Sequence, residues 1–419
     1  MNNFFSHEAF SVLHIRNFRF FLFYRFFMTT ATVMQSVIVG WQLYKLTNNV
    51  LALGMIGLTE VIPQVSIALF AGHYIDLWDR KKIIIYTSFL LLLGSGILMV
   101  YSIPSLNCFS LFGTYPIFIT IFLTGLVRGI IMPANTAFFG QLVPNKLLTN
   151  AATWNSTNWH IAAVLGSAIG GLVCGFFNDF IAYATVFGLF LISLLVLVNI
   201  KSPRWEPITA IGEDIFKRIH EGIRYVFDNK VLLGAFSLDM FAVLFGGAVA
   251  LLPVFAKDIL NVGPEGFGIL RSCPTFGAIL MSAFLTFHPP LDKTGRYLFI
   301  GVAGFGLCMI AFALSRNFYL SAFVLFLSGG FDNVSVVIRA SILQLFTPNE
   351  MRGRVAAVNS IFIGSSNELG AFESGVTARL MGLIPSVIFG GSMTLLVVAM
   401  AAKFVPQLRK LSFRSLIRS

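Results

Sequence analysis

Five ionisable side chains stand deep inside stretches that are otherwise apolar: Glu60, Arg128, Asp239, Asp332 and Glu368. An ionised group cut off from water is costly unless it meets an opposite charge or a polar cavity, so groups of this kind mark ion or substrate pathways. A carboxyl in such a place can alternate between neutral and charged forms as its surroundings change, which makes the four acids candidate proton carriers. For each of them, satisfaction by nearby hydroxyls or amides is the plainer reading. Arg128 keeps its charge at any biological pH and therefore needs a carboxylate or an anionic substrate. Its plainer reading is a static ion pair that fixes helix packing.

Gln35, Trp41, Asn155, Asn158, Trp159 and His160 add hydrogen bonding and stacking that suit a cavity lining. For the tryptophans, a belt at the membrane surface is the simpler role. The six histidines are too dispersed for a metal site, and Cys108, Cys174, Cys273 and Cys308 have neither metal nor disulfide spacing. No glycine-rich phosphate loop occurs, so no nucleotide or other cofactor is expected, and any transport should run on an ion gradient.

The elements that hold these groups follow from composition. Of 419 residues 57% are hydrophobic and 11% charged, and the mean hydropathy is +0.83. A soluble protein carries about 25% charged residues, so the chain is built for lipid. About 20 residues are needed to cross the hydrocarbon core, and twelve apolar runs of that order occur: 20–43, 52–75, 83–101, 116–139, 155–177, 180–199, 231–252, 267–287, 297–315, 318–338, 357–378 and 385–404. On this reading Arg128, Asp332 and Glu368 lie near mid-depth, Glu60 in the outer third and Asp239 in the inner third. Arg25 and Arg271 are close enough to helix ends to snorkel.

Lysine and arginine favour the cytoplasmic side of short loops. With the N-terminus inside, only Lys45, Lys257, Arg316 and Arg379 fall on outer loops, and Arg25, Arg128 and Arg271 fall within helices. The rest of the 29 basic residues, Arg339 among them, stand inside. Both termini are thus expected in the cytoplasm, and the net charge of +11 reflects orientation rather than a nucleic-acid partner. The expected organisation is a six-helix bundle over 1–200, a linker over 201–230, a second six-helix bundle over 231–404 and a basic tail over 405–419. In the linker, Ile211, Ile215, Ile219 and Ile223 share one helical face, which predicts an amphipathic helix lying on the inner surface. Shifting the sequence by 204 positions superposes Pro144-Asn145 on Pro348-Asn349, Asn155-Ser156 on Asn359-Ser360, Gly166 on Gly370 and Gly171 on Gly375. The halves therefore read as a parallel duplication, an arrangement that places a transport site near the midplane.

Between the second and third runs stands Gly72-His-Tyr-Ile-Asp76-Leu-Trp-Asp79-Arg80-Lys81-Lys82. It resembles the loop signature of the major facilitator superfamily, with Leu77 and Asp79 departing from the usual arginine and glycine. A weaker copy survives as Asp292-Lys-Thr-Gly295-Arg296. The resemblance implies a gating role for Gly72, Asp76, Arg80 and Lys81 and proton coupling for Arg128. The segments Arg128-Gly-Ile-Ile-Met-Pro133-Ala134, Gln141-Leu-Val-Pro144-Asn145, Gln344-Leu-Phe-Thr-Pro348 and Asn367-Glu368-Leu-Gly370 are similar to the enterobactin-exporter and macrolide-efflux branch of that superfamily. The expectation is an all-α integral membrane protein of twelve helices in two pseudo-symmetric six-helix bundles. It would work as a monomeric, proton-driven exporter of a small, siderophore-like molecule in a bacterial inner membrane, with lipid as its surroundings. Macrolide or multidrug efflux, import of a siderophore-class substrate, and a non-transporting receptor stand as alternatives. The N-terminal half is expected to carry most of the coupling chemistry, with Asp239, Asp332 and Glu368 facing it.

Overall fold

The computed structural model describes residues 10–201, 215–348 and 351–414, with the side chains at 69, 72–74, 76, 77, 145, 215–219 and 357 outside the description. Every regular element among the described residues is helical. Backbone groups in lipid find no water, so each spanning segment must satisfy them internally, and the helix does so. The spans are α1 Arg16–Thr47, α2 Val50–Leu77, α3 Arg80–Tyr101, α4 Tyr115–Leu142, α5 Leu148–Phe176, α6 Asp179–Val198, α7 Lys230–Phe245 with its broken continuation, α8 Pro264–Phe287, α9 Thr294–Leu314, α10 Phe318–Leu345, α11 Arg352–Met381 and α12 Leu383–Phe404. Eleven are long and apolar enough to cross a membrane. The exception is α11, a 30-residue helix whose Arg352, Arg354, Glu368, Glu373 and Arg379 lower its hydropathy.

Local chemistry fixes where the helices start and turn. Asp79, Asn178, Asn229 and Asn317 each cap a helix, accepting from a backbone N–H two or three residues on. Asn48, Asn107 and Asn261 adopt positive φ at turns, a conformation that asparagine tolerates better than other residues with a Cβ. The lipid face is legible on α3: Tyr86, Phe89, Leu90, Leu93, Ile97 and Val100 form an exposed stripe at helical spacing. Thr87, Ser88, Gly94 and Ser95 are buried on the opposite side. Small residues face the bundle because close approach, not the hydrophobic effect, is what joins helices in lipid.

The span predicted as continuous over 231–252 is interrupted. α7 ends at Phe245, and Gly246-Gly247 lead into a tight 3-10 turn Ala248–Leu251, a short turn Leu252–Val254 and a wide turn Phe255–Ile259. A Cβ at Gly247 would lie 2.7 Å from the Gly370 carbonyl and 2.8 Å from Ser374 Oγ, so the break lets α11 approach the α7 backbone. Pro253, which has no N–H to donate, prevents the regular ladder from resuming at once.

The chain divides into two compact units, Met1–Leu43 with Ile62–Ile211 and Tyr44–Val61 with Gly212–Ser419. The end of α1 and the start of α2 thus belong with the second unit. There the Tyr44 hydroxyl donates to Asp258, Lys257 Nζ donates to Asn48 Oδ1 at 2.7 Å, and Gly54 meets Gly375 backbone to backbone.

The duplication has two registers. Tyr115, Leu148 and Asp179, which open α4–α6, correspond to Phe318, Arg352 and Leu383 at offsets of 203 or 204, whereas Arg16, Val50 and Arg80 correspond to Lys230, Pro264 and Thr294 at 214. The slip comes from one connection: Ser102–Thr114 joins α3 to α4, and only Ser315–Asn317 joins α9 to α10. Equivalent seams recur in both units. Gly166 of α5 packs on Thr30 of α1, and Gly370 of α11 packs on Val243 and Leu244 of α7.

The linker helix, Ile215–Asp228, does not depend on a membrane surface for its partner. Gly222 rests on the Arg354 backbone, Glu221 pairs with Arg354, the Tyr225 hydroxyl donates to the Phe346 carbonyl at 2.8 Å, and Val226 joins a core with Leu232, Ile338 and Val355. Ile223 is exposed, and Ile211 lies outside the described residues.

The α8–α10 seam is the tightest in the second unit, with Gly277 against the Phe326 carbonyl and Gly329 against the Pro274 carbonyl. Gly329→Val should therefore lower stability by about 1–3 kcal/mol. Gly140→Ala, where a Cβ meets nothing within 4 Å, should be near neutral. Thermal unfolding of the two variants in detergent checks the contrast.

Candidate functional site

The four candidate acids sort into two pairs, each around an arginine. In the first cluster Arg339 of α10 reaches Asp239 of α7, with Nη2 to Oδ1 at 2.7 Å and both side chains buried. Asp332, two turns earlier on α10, interacts electrostatically with both. Arg339 was expected on an inner loop. It is instead a helical residue six positions before the end of α10, because that helix runs on to Leu345 rather than stopping at 338. Asp239 supplies the counter-charge that lets α10 keep a guanidinium below the surface.

These three groups line a cavity of about 250 Å³ with Val243, Val336, Asn359, Ile363 and Asn367. Arg339 Nε and Asn359 Oδ1 are buried there without a hydrogen-bond partner. A buried polar atom left unsatisfied costs about 1–3 kcal/mol, so these atoms present ready donor and acceptor positions to water or to a ligand.

In the second cluster Arg271 of α8 donates from Nη1 to the Val249 carbonyl at 3.2 Å and interacts electrostatically with Glu368 of α11 and Glu60 of α2. Arg271 therefore does not turn to the membrane surface. It ties the unwound stretch after α7 to two carboxylates; the Val249 carbonyl also accepts from the Leu252 N–H, and Pro253, four residues on, has no N–H to offer it. Both clusters belong to the second unit.

In the first unit Arg128 is half-buried on α4, next to Gly129, where α4 meets α2 at Gln64 and Ile67. Gln35 and Asn155 each bury an oxygen with no hydrogen-bond partner, and Gln64 and His160 each leave a buried atom in the same state. Asn158 is committed to packing, since Nδ2 donates to the Leu22 carbonyl at 3.1 Å and so joins α5 to α1. Trp41 is half-buried, and Trp159 is 44% exposed.

Of the loop signature, Gly72 and Asp76 fall among the side chains outside the description. Arg80 Nη1 donates to the Ala137 carbonyl on α4 at 3.3 Å, and Lys81 Nζ donates to the carbonyls of Val198 and Ile200 at 2.9 and 2.7 Å. Asp79, the departure from the usual glycine, caps α3 by accepting from the Lys81 N–H at 2.9 Å. In the second unit the position of Lys81 is taken by Gly295. Its N–H donates to the Leu411 carbonyl at 3.0 Å, and Arg414 pairs with Asp292 at 2.9 Å. The Gly295 backbone N–H does there what a lysine side chain does in the first unit, with the tail carbonyl as acceptor.

The model of the transmembrane secretion effector family, part of the major facilitator superfamily, matches residues 7–417. The chain belongs to that family. It is a multi-span helical membrane protein from a family of transporters that move small molecules. Macrolide efflux protein A of Streptococcus pyogenes is 20% identical, with 92% of this chain and 95% of that protein covered. The enterobactin exporter of Shigella flexneri is 22% identical over 92% and 91%, and the staphyloferrin A transporter of Staphylococcus aureus 23% over 59% and 61%. Among solved structures, the D-xylose-proton symporter superposes with a TM-score of 0.72 at 15% identity, covering 97% of this chain and all of that one. A POT family transporter in complex with 5-aminolevulinic acid gives 0.74 at 12%, over 94% and 96%. At these identities the structures establish the fold alone.

The first cluster predicts an asymmetric mutational pattern. Arg339→Leu strands a buried carboxylate and should cost about 3–5 kcal/mol. Combining it with Asp239→Leu should recover most of the loss, and unfolding of the single and double variants in one detergent measures the coupling.

Proposed function

We propose that this chain is a monomeric, proton-driven exporter of a small organic molecule, acting by alternating access in a bacterial cytoplasmic membrane with both termini in the cytoplasm. One observation carries the proton coupling: two carboxylates, Asp239 and Asp332, share one guanidinium at the edge of a cavity. With all three ionised the cluster carries one negative charge in excess, and a single proton neutralises it. The guanidinium cannot give up its proton, so the exchangeable one resides on a carboxylate. Protonation at Asp239 weakens its hold on Arg339 and so loosens α7 from α10, which links charge state to helix position. The Glu60–Arg271–Glu368 group has the same composition and is the second candidate for this role.

The printed names of two relatives, an enterobactin exporter and a staphyloferrin A transporter, support a siderophore-like substrate. Macrolide efflux is the alternative reading, supported by the streptococcal relative and its near-complete coverage. Export is favoured over import because efflux and export recur in those names. The buried free acceptor on Asn359, beside the first cluster, is the polar atom we assign to substrate or its water.

Reconstitution into proteoliposomes with an imposed pH gradient tests the proposal, with catecholate and carboxylate siderophores and macrolides offered in turn. One class should move against the proton flow. Asp332→Asn should reduce gradient-driven flux at least tenfold while leaving substrate exchange without a gradient intact. Undiminished gradient-driven flux in Asp332→Asn would remove the cluster from the mechanism.

A further inference from the structure

The first unit has a second, separate groove of about 310 Å³, lined by Arg16, Arg19, Phe20 and Phe23 at the start of α1. The four side chains follow a helical stripe, with the two cations at its beginning and the two rings one turn further along. Phe23 is 58% exposed, and Arg16 lies 5.6 Å from the centre of the Phe20 ring. Among the described residues neither arginine forms an ion pair. Between the two arginines, the Asn17 side chain and the Lys201 backbone bond to each other at 2.9 and 3.3 Å, which anchors this end of α1.

Depth decides what such a groove meets. α1 has 32 residues, about 48 Å at 1.5 Å each, against a hydrocarbon core of about 30 Å. Roughly six residues at each end therefore extend past the hydrocarbon. Arg16 and Arg19 fall in the headgroup layer, and Phe23 falls in the acyl region. Cations above and exposed rings below are complementary to a molecule with an anionic head and an apolar tail.

We propose that this groove is a binding site for one anionic phospholipid, its phosphate held by Arg16 and Arg19 and its acyl chain laid along Phe20 and Phe23. The site is separate from both carboxylate clusters, since all four of its lining residues lie on α1 of the first unit and both clusters lie in the second.

Native mass spectrometry of the full chain, exchanged into equal mixtures of phosphatidylglycerol and phosphatidylcholine, tests it. A basic residue near an anionic surface contributes about 1 kcal/mol, or about fivefold. Arg16→Gln with Arg19→Gln should therefore lose about twenty-five-fold in preference for phosphatidylglycerol. Phe23→Ala should weaken retention of both lipids by a similar factor each, leaving the preference unchanged. The control pair Arg409→Gln with Lys410→Gln should leave both readings intact. Unchanged preference in the arginine variant, or an equal loss in the control pair, overturns the proposal. Thermal unfolding of the arginine variant in lipid-free detergent should match the parent, which separates lost binding from lost fold.

Discussion

A charge inside a bilayer has to bring its counter-charge with it, and in this protein that constraint reaches from single side chains to helix paths. Asp239 and Arg339 are 2.7 Å apart because either charge left unpaired at that depth would be costly. Their pairing joins α7 to α10, and Arg271 ties α8 to the acids of α2 and α11. The second unit is thus crossed by two ionic ties, each an arginine with two carboxylates beside it. A tie of that kind is strong while the charges persist and weak once one is removed, which is the property the proposed proton coupling needs.

Around these ties the packing relies on glycine. Gly166, Gly277, Gly329 and Gly370 stand where one backbone meets another, at seams that recur between the two units. Large side chains are displaced to the lipid, as the exposed stripe on α3 shows. The two features depend on each other, since short ion pairs between helices require backbones close enough for the side chains to meet.

Helix number and approximate bounds were legible because apolar length and loop charge are one-dimensional properties. The duplication was legible only in part. At an offset of 204, α5 finds α11, but the longer Ser102–Thr114 connection moves the first three helices of each half to 214 and hides them from any single shift. Asp239, Asp332, Glu60 and Glu368 stood out as charges in apolar runs, yet their arginine partners did not. Arg339 lay just past the end of a predicted span and counted as a loop cation, and Arg271 read as one near a helix end. What could have found Arg339 is its spacing: it stands seven residues, two helical turns, after Asp332, on the same face. The α7 break was signalled by Gly246-Gly247 and Pro253, although hydropathy alone carried straight through them.

That break has a mechanical meaning. A continuous α-helix behaves as a stiff rod, so torque applied at one end arrives at the other. α7 is a rod that ends at a joint of two glycines, where the hydrogen-bond ladder is interrupted. The rod carries Asp239, and the stretch beyond the joint offers the Val249 carbonyl to Arg271. The two ionic ties therefore attach to opposite sides of one joint, and either can rotate its own segment without dragging the other.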